Sequence, residues 1–271
     1  MSTSAPGPRV TGLETEFGVL CAPAGPPEAA RTDLPDVERA AALIFRHRPA
    51  GYRSTNLFLP NGGRLYLDIG AHPEYATAEC VSVRDLVAQD QAGRAILADM
   101  AKRAAEGLSQ EGAAARFHLL ANNTDSAGHT YGCHESYSVP RSLLDATDGA
   151  SGASSETTMA VLTSFLATRP VLVGSGRPLA GGPTEPNDGS RGAGEESAWG
   201  LSPRAPHLQA LTSADTTGQR ALVNTRDEPH ADATRLRRLH VTCADTTMAE
   251  PTTGLRSAVT LLLLDALEAG W

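Results

Sequence analysis

Two glutamates, Glu14 and Glu16, stand in a segment with the alternating pattern of a β-strand. Apolar side chains alternate with these carboxylates over residues 13–19, which predicts one half-buried strand with both acids on its polar face. Two like charges on one face repel each other unless a cation lies between them. Oxygen ligands of this kind suit Mg²⁺, which commonly bridges carboxylates and phosphates. The alternative interpretation is a solvated strand face with surface salt bridges.

A second predicted strand carries a complementary set of side chains. Leucine and isoleucine residues alternate with Arg64, Tyr66 and Asp68, which therefore share one face. Glu74 opens the next extended segment after a short break. An arginine can bind phosphate and an aspartate can accept a proton, so this strand offers both functions. A polar outer strand face is again the alternative.

Several common nucleotide-binding and catalytic motifs are absent from the sequence. No G-x-x-x-x-G-K-[ST] segment occurs, and neither G-x-S-x-G nor G-x-G-x-x-G is present. The H-E-x-x-H zinc motif fails because Ser138 stands where the second histidine would be. Any ATP must therefore be held by another architecture, and the motif evidence argues against a zinc protease.

Composition narrows the class of protein further. The 271 residues include 41% hydrophobic and 20% charged residues, enough for one large domain with a core or two small ones. The formal net charge of -8 argues against nucleic-acid binding, which needs clustered basic residues. The longest apolar stretch, at 261–264, is far too short to cross a membrane, and residues 1–8 lack a signal-peptide core. The four cysteines are far apart, which favours reduced thiols in a cytoplasmic protein.

The remaining pattern predicts interleaved strands and helices without regular βαβ spacing, which favours an α+β fold with a mixed or antiparallel sheet. Residues 21–35 are predicted to form a loop, and 174–200 a Gly/Pro/Ser-rich insert that is flexible at about 181–200. The predicted helices are 36–46, one capped by Ser82 that ends before Gly112, 157–168 and 252–267. The further predicted strands are 117–121, 134–139, 221–224 and 239–244.

Several of these segments together resemble one known family, that of the prokaryotic ubiquitin-like protein (Pup) ligases. The resemblance rests on GLETEFGV at 12–19, NGGRLYLDIGAHPEYATAEC at 61–80, NNTDSAG at 122–128, YGCHE at 131–135, NTRDEPHAD at 224–232 and RRLHV at 237–241. Several long motifs in one order are far more specific than any single motif, and they span most of the chain outside its loops.

The resemblance implies a fold related to glutamine synthetase: a curved, largely antiparallel sheet that is flanked by helices and cradles ATP. It also implies a reaction that depends on ATP and Mg²⁺. The side-chain carboxylate of the C-terminal glutamate of Pup is phosphorylated, and a lysine amine of a target protein then attacks the acyl phosphate. Pup and lysine-bearing proteins are the implied partners, without nucleic acid or membrane.

The resemblance also implies roles for individual residues. By analogy with the family, the site comprises Glu14, Tyr66 and Glu74 at Mg²⁺, Arg64 and Thr77 at ATP, and Asp68 as the catalytic base. Strand geometry adds Glu16 to the metal set.

Other functions stay open at this level. The sister family of Pup deamidases and depupylases shares the scaffold, although the short first loop and the wording of the motifs favour the ligase. A paralogue that joins small amino acids or peptides is another alternative, and so is a non-catalytic remnant or binding module. Residues 1–271 are expected to form the N-terminal catalytic domain, incomplete at its C-terminus in comparison with the family.

Overall fold

A computed structural model describes residues 8–24, 34–125, 128–145, 154–179, 198–215, 218–228 and 231–271. Most of the flexible insert expected at about 181–200 lies outside the described residues, so its predicted flexibility stays a prediction.

The described residues form twelve strands and six α-helices. The strands are Thr11–Glu16 (β1), Gly18–Pro23 (β2), Asn56–Phe58 (β3), Arg64–Asp68 (β4), His72–Ala76 (β5), Ala115–Leu120 (β6), Cys133–Pro140 (β7), Arg177–Leu179 (β8), Ala198–Gly200 (β9), Ala210–Ser213 (β10), Ala221–Asn224 (β11) and Leu236–Val241 (β12). The helices are Val37–Arg46 (α1), Val83–Gln110 (α2), Arg141–Leu144 (α3), Ser155–Thr168 (α4), Pro170–Val173 (α5) and Glu250–Glu268 (α6).

Local capping explains where the two N-terminal helices begin. The side chain of Asp36 accepts a hydrogen bond from the backbone N–H of Arg39 at the start of α1. Ser82 accepts one from the N–H of Asp85 at the start of α2, as its sequence position predicts. Each cap satisfies an N–H group that has no partner within its helix. None of the helices in the described ranges is long and apolar enough to cross a membrane.

Eight strands form one sheet in the order β10-β11-β12-β7-β1-β5-β4-β3. Only β10 and β11 pair in parallel among the described strands of this sheet, and the other neighbours are antiparallel. The predicted α+β fold with a largely antiparallel sheet and flanking helices is therefore confirmed. Strand β1 lies between β5 and β7, so its side chains are central in the sheet.

The hydrophobic core covers one face of this sheet. Odd-numbered side chains such as Leu65, Tyr75, Tyr137 and Leu239 enter two buried clusters with residues of α1, α2, α4 and α6. Because side chains alternate along a strand, the even-numbered residues face the opposite side. The helices therefore pack against the other face and do not cover the face that carries the predicted acids.

Three local predictions need correction. The single strand predicted at 13–19 divides at Phe17, whose N–H donates to the carbonyl of Pro73, and β2 then leaves for a separate sheet with β6. The loop predicted at 21–35 begins later, because β6 supplies hydrogen bonds to β2 as far as Pro23. The insert predicted at 174–200 contains the short paired strands β8 and β9.

Candidate active site

Strand pairing brings the predicted acids together. In the antiparallel register, Glu16 of β1 lies opposite Glu74 of β5, and Tyr66 of β4 lies opposite Glu74 on the other side. Glu14 lies opposite His134 of β7. Directly opposed side chains in antiparallel strands are close neighbours on the same face. Three carboxylates and an imidazole therefore meet across three adjacent strands.

Glu14 is surrounded by nitrogen groups. Arg238 donates from Nη2 to Oε1 at 2.8 Å, and His134 Nδ1 lies 3.2 Å from Oε2. His240 Nε2 lies 3.8 Å from the same oxygen. Burial alone would raise the pKa of Glu14, but the hydrogen bond and charge of His134, together with Arg238, outweigh it and lower that pKa to about 2. Glu14 is therefore a permanent carboxylate.

Glu74 has the opposite electrostatic surroundings. Its side chain is buried, and it accepts a short hydrogen bond from the hydroxyl of Tyr66. Burial, followed by the negative charges of Glu16 and Glu14, raises the pKa of Glu74 to about 9. Without a cation, Glu74 therefore keeps its proton at neutral pH. Burial and the neighbouring Glu74 also raise the pKa of Tyr66, which stays a neutral phenol.

Glu16 completes the acidic group but remains ionised. His72 Nδ1 lies 3.4 Å from its Oε2, and its backbone N–H donates to the carbonyl of Gly132. Burial would raise the pKa of Glu16, yet the hydrogen bond with His72 and the charge of His134 lower it overall. Glu14 and Glu16 are thus carboxylates, whereas Glu74 is a protonated acid. Keeping one of the three acids neutral lowers the electrostatic repulsion among them.

Two sets of side chains have the spacing of cation ligands. Ligand atoms of Glu14, His134 and His240 lie within 4.8 Å of one another, and so do those of Glu16, Glu74 and His134. The Nε2 atom of His240 is buried and finds no hydrogen-bond partner among the described groups. A buried imidazole nitrogen that lacks a hydrogen-bond partner and lies beside a carboxylate is a candidate ligand for a divalent cation. Three of the five side chains in the two sets are carboxylates, which favours Mg²⁺.

The backbone at Gly132 must be free of a side chain to form this centre. A Cβ atom there would stand 2.6 Å from Nε2 of His134 and 2.9 Å from Oε1 of Glu16. Both distances are too short for van der Waals contact, so only glycine lets the chain pass this close to the ligand atoms.

A buried arginine holds the strand ends behind the centre. Arg204 donates from Nη1 to the carbonyl of Tyr131 at 3.3 Å and from Nη2 to that of Thr242 at 2.9 Å. Its own backbone position is set by Asp245, which accepts hydrogen bonds from Ser202 and from the N–H of Arg204. These contacts join the start of β7 to the end of β12, so they position the two strands that carry His134 and His240.

The predicted catalytic base lies at the rim of the centre. Asp68 ends β4, is exposed, and lies opposite His72 in the register. Burial of part of the carboxyl group, and then the negative charge of Glu16, raise the pKa of Asp68. An acid that is open to solvent and has a raised pKa can accept a proton from an arriving amine. The shared face predicted for Arg64, Tyr66 and Asp68 agrees with their alternation along β4.

The two predicted nucleotide contacts line one large cavity on the same face. It has a volume of about 740 Å³, and its walls include Arg64, Thr77, Glu14 and Arg238. Thr77 is fixed there because its Oγ1 accepts a hydrogen bond from the N–H of Leu13 at 3.0 Å. All seven predicted site residues therefore lie on the open face of the sheet, at the cavity or in the adjoining acidic centre.

Four side chains of this centre were not predicted from the sequence as site residues: His72, His134, Arg238 and His240. Alternation along the strands predicted at 134–139 and 239–244 could have indicated that His134 and His240 leave the core face. No sequence signal shows that β7 pairs with β1, or that β12 pairs with the other edge of β7.

The largely antiparallel sheet and its acidic, histidine-containing open face agree with the fold and site that the motif resemblance implies. The chain belongs to the Pup-ligase protein family, whose pattern matches residues 9–271. The resemblance deduced from the motifs is therefore confirmed.

Named relatives agree with this assignment. The chain is 46% identical over 262 residues to a Pup–protein ligase of Xylanimonas cellulosilytica, covering 97% of this chain and 51% of the relative. It is 44% identical over 264 residues to that of Kocuria rhizophila, covering 97% of this chain and 52% of the relative. The chain thus spans about half the length of the relatives it matches.

Solved structures show the same similarity. A complex between Pup and its ligase PafA superposes with a TM-score of 0.77 at 36% identity, covering 96% of this chain and 46% of that one. The Pup ligase PafA in complex with ADP superposes with a TM-score of 0.66 at 38% identity, covering 90% and 52%.

Proposed function

We propose that this chain carries the ATP- and Mg²⁺-binding catalytic part of a ligase that joins Pup to lysines of target proteins. The observation that carries the proposal is the pair of cation-ligand sets beside the 740 Å³ cavity, in a chain of the Pup-ligase family. The similarity to structures containing Pup and ADP supports the choice of substrates.

The proposed reaction is acyl transfer through an acyl phosphate. An oxygen of the side-chain carboxylate of the C-terminal glutamate of Pup attacks the γ-phosphorus of ATP, and ADP leaves. The uncharged amine of a target lysine then attacks the acyl carbon. Inorganic phosphate leaves as the isopeptide bond forms.

The acidic centre would hold the cation through Glu14, Glu16 and Glu74, with Tyr66 fixing Glu74 through its hydroxyl. A bound Mg²⁺ supplies positive charge to the phosphate groups of the nucleotide. His134 and His240 add nitrogen ligand atoms to the two sets.

The other two roles follow from position. Arg64 and Thr77 line the cavity and are proposed to bind the nucleotide, the arginine by charge and the threonine by its hydroxyl. Asp68 is proposed as the base, because an ammonium group is not a nucleophile and must lose a proton before it attacks. Its exposure at the rim of the centre leaves it open to an amine arriving from solvent.

A cytoplasmic location is proposed for this reaction. The substrate ATP is a cytoplasmic metabolite, and the four cysteines, Cys21, Cys80, Cys133 and Cys243, are free thiols in the structure. Free thiols are typical of a reducing compartment.

Asp68→Asn tests the proposed role of the base. With Pup ending in glutamate, ATP, Mg²⁺ and a lysine-bearing protein, conjugate formation should fall about 10²–10⁴-fold in this variant. The affinity for ATP should stay within about twofold, because Asn keeps the size of the side chain. Asp99→Asn, an exposed acid on α2, is the matched control and should ligate at the wild-type rate. Ligation by Asp68→Asn at the wild-type rate would defeat the mechanism.

The same preparation separates the alternative reactions. Release of ammonia from Pup ending in glutamine, or of Pup from a conjugate, without any ATP-dependent conjugation would indicate the hydrolytic sister activity. Conjugation of free amino acids in place of protein lysines would indicate a small-molecule ligase.

A further inference from the structure

The turn between β4 and β5 exposes one large aliphatic side chain directly beside the proposed base. Ile69 follows Asp68 and is 77% exposed, the largest exposed fraction of any isoleucine, leucine or valine in the described ranges. Its neighbours Leu67 and Ala71 pack against the buried cluster that includes residues of α1 and α2, whereas Ile69 extends into solvent. The Ile69 side chain therefore adds little to the stability of the fold.

The backbone of this turn holds Ile69 in one position. Gly70 and Ala71 both have left-handed conformations, with φ angles of 87° and 60°. The N–H of Ala71 donates to the carbonyl of Asp68 at 3.2 Å and closes the turn. A Cβ atom on Gly70 would lie 3.2 Å from Cε1 of His72, so the turn lies against that imidazole ring. A left-handed alanine costs energy that its surroundings must offset, and such conformations are concentrated at functional sites.

The carboxylate of the proposed base is attached to the same turn. Asp68 accepts a hydrogen bond from the backbone N–H of Ile69. The carboxylate and the exposed aliphatic side chain therefore extend from one short and rigid backbone segment. An amine that gives its proton to Asp68 arrives beside Ile69.

A lysine acceptor has an apolar part that such a surface fits. Its amine stands at the end of a flexible four-carbon stem. Lysine stems commonly lie along apolar surface while the charged group stays in water. The acidic centre itself presents carboxylates and imidazoles, so it offers the stem no comparable surface.

We propose that Ile69 is the binding surface for the methylene groups of the acceptor lysine, and this inference rests on the proposed function. Asp68 would take a proton from the lysine ammonium while the stem lies against Ile69. The free amine would then attack the acyl carbon, and phosphate would leave with the proton that the new amide loses. Contact with methylene groups needs no particular sequence around the lysine. Ile69 would therefore select a long aliphatic amine without selecting among target proteins.

The test compares two acceptors, of which only one has a stem. Nα-acetyl-lysine presents the methylene groups, whereas hydroxylamine attacks an acyl phosphate without any. With Pup ending in glutamate, ATP and Mg²⁺, Ile69→Ser should lower kcat/KM for Nα-acetyl-lysine about four- to fifteenfold, which corresponds to one or two methylene groups returned to water. Its rate of hydroxamate formation should equal that of wild type. Ile69→Leu should keep most of the activity with both acceptors.

Leu262→Ser is the matched control for loss of an exposed aliphatic side chain. Leu262 is 68% exposed on α6, which packs against the other face of the sheet. This variant should match wild type with both acceptors. Ile69→Ser should also keep the wild-type melting temperature, because its side chain is outside the core.

Different outcomes overturn different statements. An unchanged kcat/KM of Ile69→Ser for Nα-acetyl-lysine would overturn the inference. An equal loss with both acceptors would also overturn it, because Ile69 would then act before the amine arrives. Hydroxamate without any lysine conjugate in wild type would overturn the acceptor site and leave the proposed phosphorylation standing. If wild type formed neither product with ATP, the proposed function itself would fail, and the inference with it.

Discussion

Replacing Glu74 by glutamine should change how the free energy of unfolding of the metal-free protein depends on pH. Glu74 is 1% exposed, and its pKa is raised from 4.5 to about 9 by burial and by the charges of Glu16 and Glu14. Between these two values the unfolded chain has released the proton and the folded chain retains it. Raising the pH therefore favours the unfolded state.

The size of the effect follows from proton linkage. One proton that is bound only in the folded state makes the free energy of unfolding fall by about 1.4 kcal/mol per pH unit. From pH 7.0 to 8.5 the free energy of unfolding of wild type should fall by about 2 kcal/mol through Glu74. Both pH values lie inside the window between the unfolded-state and folded-state pKa values of Glu74. Glutamine cannot titrate, so Glu74→Gln should lack this loss. The pKa values of Glu14 and His240 are lowered to about 2 and about 3, so these folded-state groups titrate below the window.

Urea denaturation in EDTA, followed by far-UV circular dichroism, measures this difference. Wild type and Glu74→Gln should be compared at pH 7.0 and 8.5, together with Glu106→Gln. Glu106 is an exposed acid on α2, and its variant should keep the wild-type dependence. Contributions from the remaining titrating groups are common to the proteins and cancel in the comparison. The same pH dependence in wild type and Glu74→Gln would refute the reasoning.

Saturating Mg²⁺ provides a second arm of the experiment. A cation bound at the proposed centre would favour the ionised form of Glu74 and displace its proton. The loss of wild-type stability with pH should then disappear, and the free energy of unfolding should rise relative to the sample in EDTA. Glu74→Gln should gain less from Mg²⁺, because an amide oxygen carries no charge.

Two further substitutions test the surroundings of the centre. Gly132→Ala should lower Mg²⁺ affinity about 10–100-fold in calorimetry, because the new Cβ would displace ligand side chains. The melting temperature should change by only a few degrees. Unchanged Mg²⁺ affinity would contradict this geometry. Arg169→Met should lower the free energy of unfolding in urea by about 3 kcal/mol, because Glu135 is fully buried and lies 2.8 Å from Arg169. A loss of less than about 1 kcal/mol would show that the other partner of Glu135, Arg256, suffices by itself.

Much of the secondary structure was determined by local sequence. The cap at Ser82 and the apolar spacing after it predict α2, which runs over Val83–Gln110. The strand predicted at 221–224 coincides with β11, and period-two alternation predicts the face of β4 that carries Arg64, Tyr66 and Asp68. These features depend on neighbours within a few residues, so the sequence alone contains them.

Strand ends depended on partners that are distant in the chain. The loop expected at 21–35 starts only after Pro23, because β6, about a hundred residues away, continues the pairing. Phe17 interrupts the strand predicted at 13–19 because its N–H bonds to Pro73 and not to the ladder of β7. Hydrogen bonds between distant segments decide such boundaries, and no local propensity encodes them.

The sequence determined which kinds of side chain the site contains. The tertiary structure determined their neighbours and, through them, their protonation states. The sequence supplied Glu14 and Glu74 as acids on strand faces. Only the sheet order places His134 and Arg238 against Glu14, across separations of 120 and 224 residues. Those contacts lower the pKa of Glu14, while burial beside other carboxylates raises that of Glu74. A pKa depends on every charge within several ångströms, so folding alone decides which acid keeps its proton.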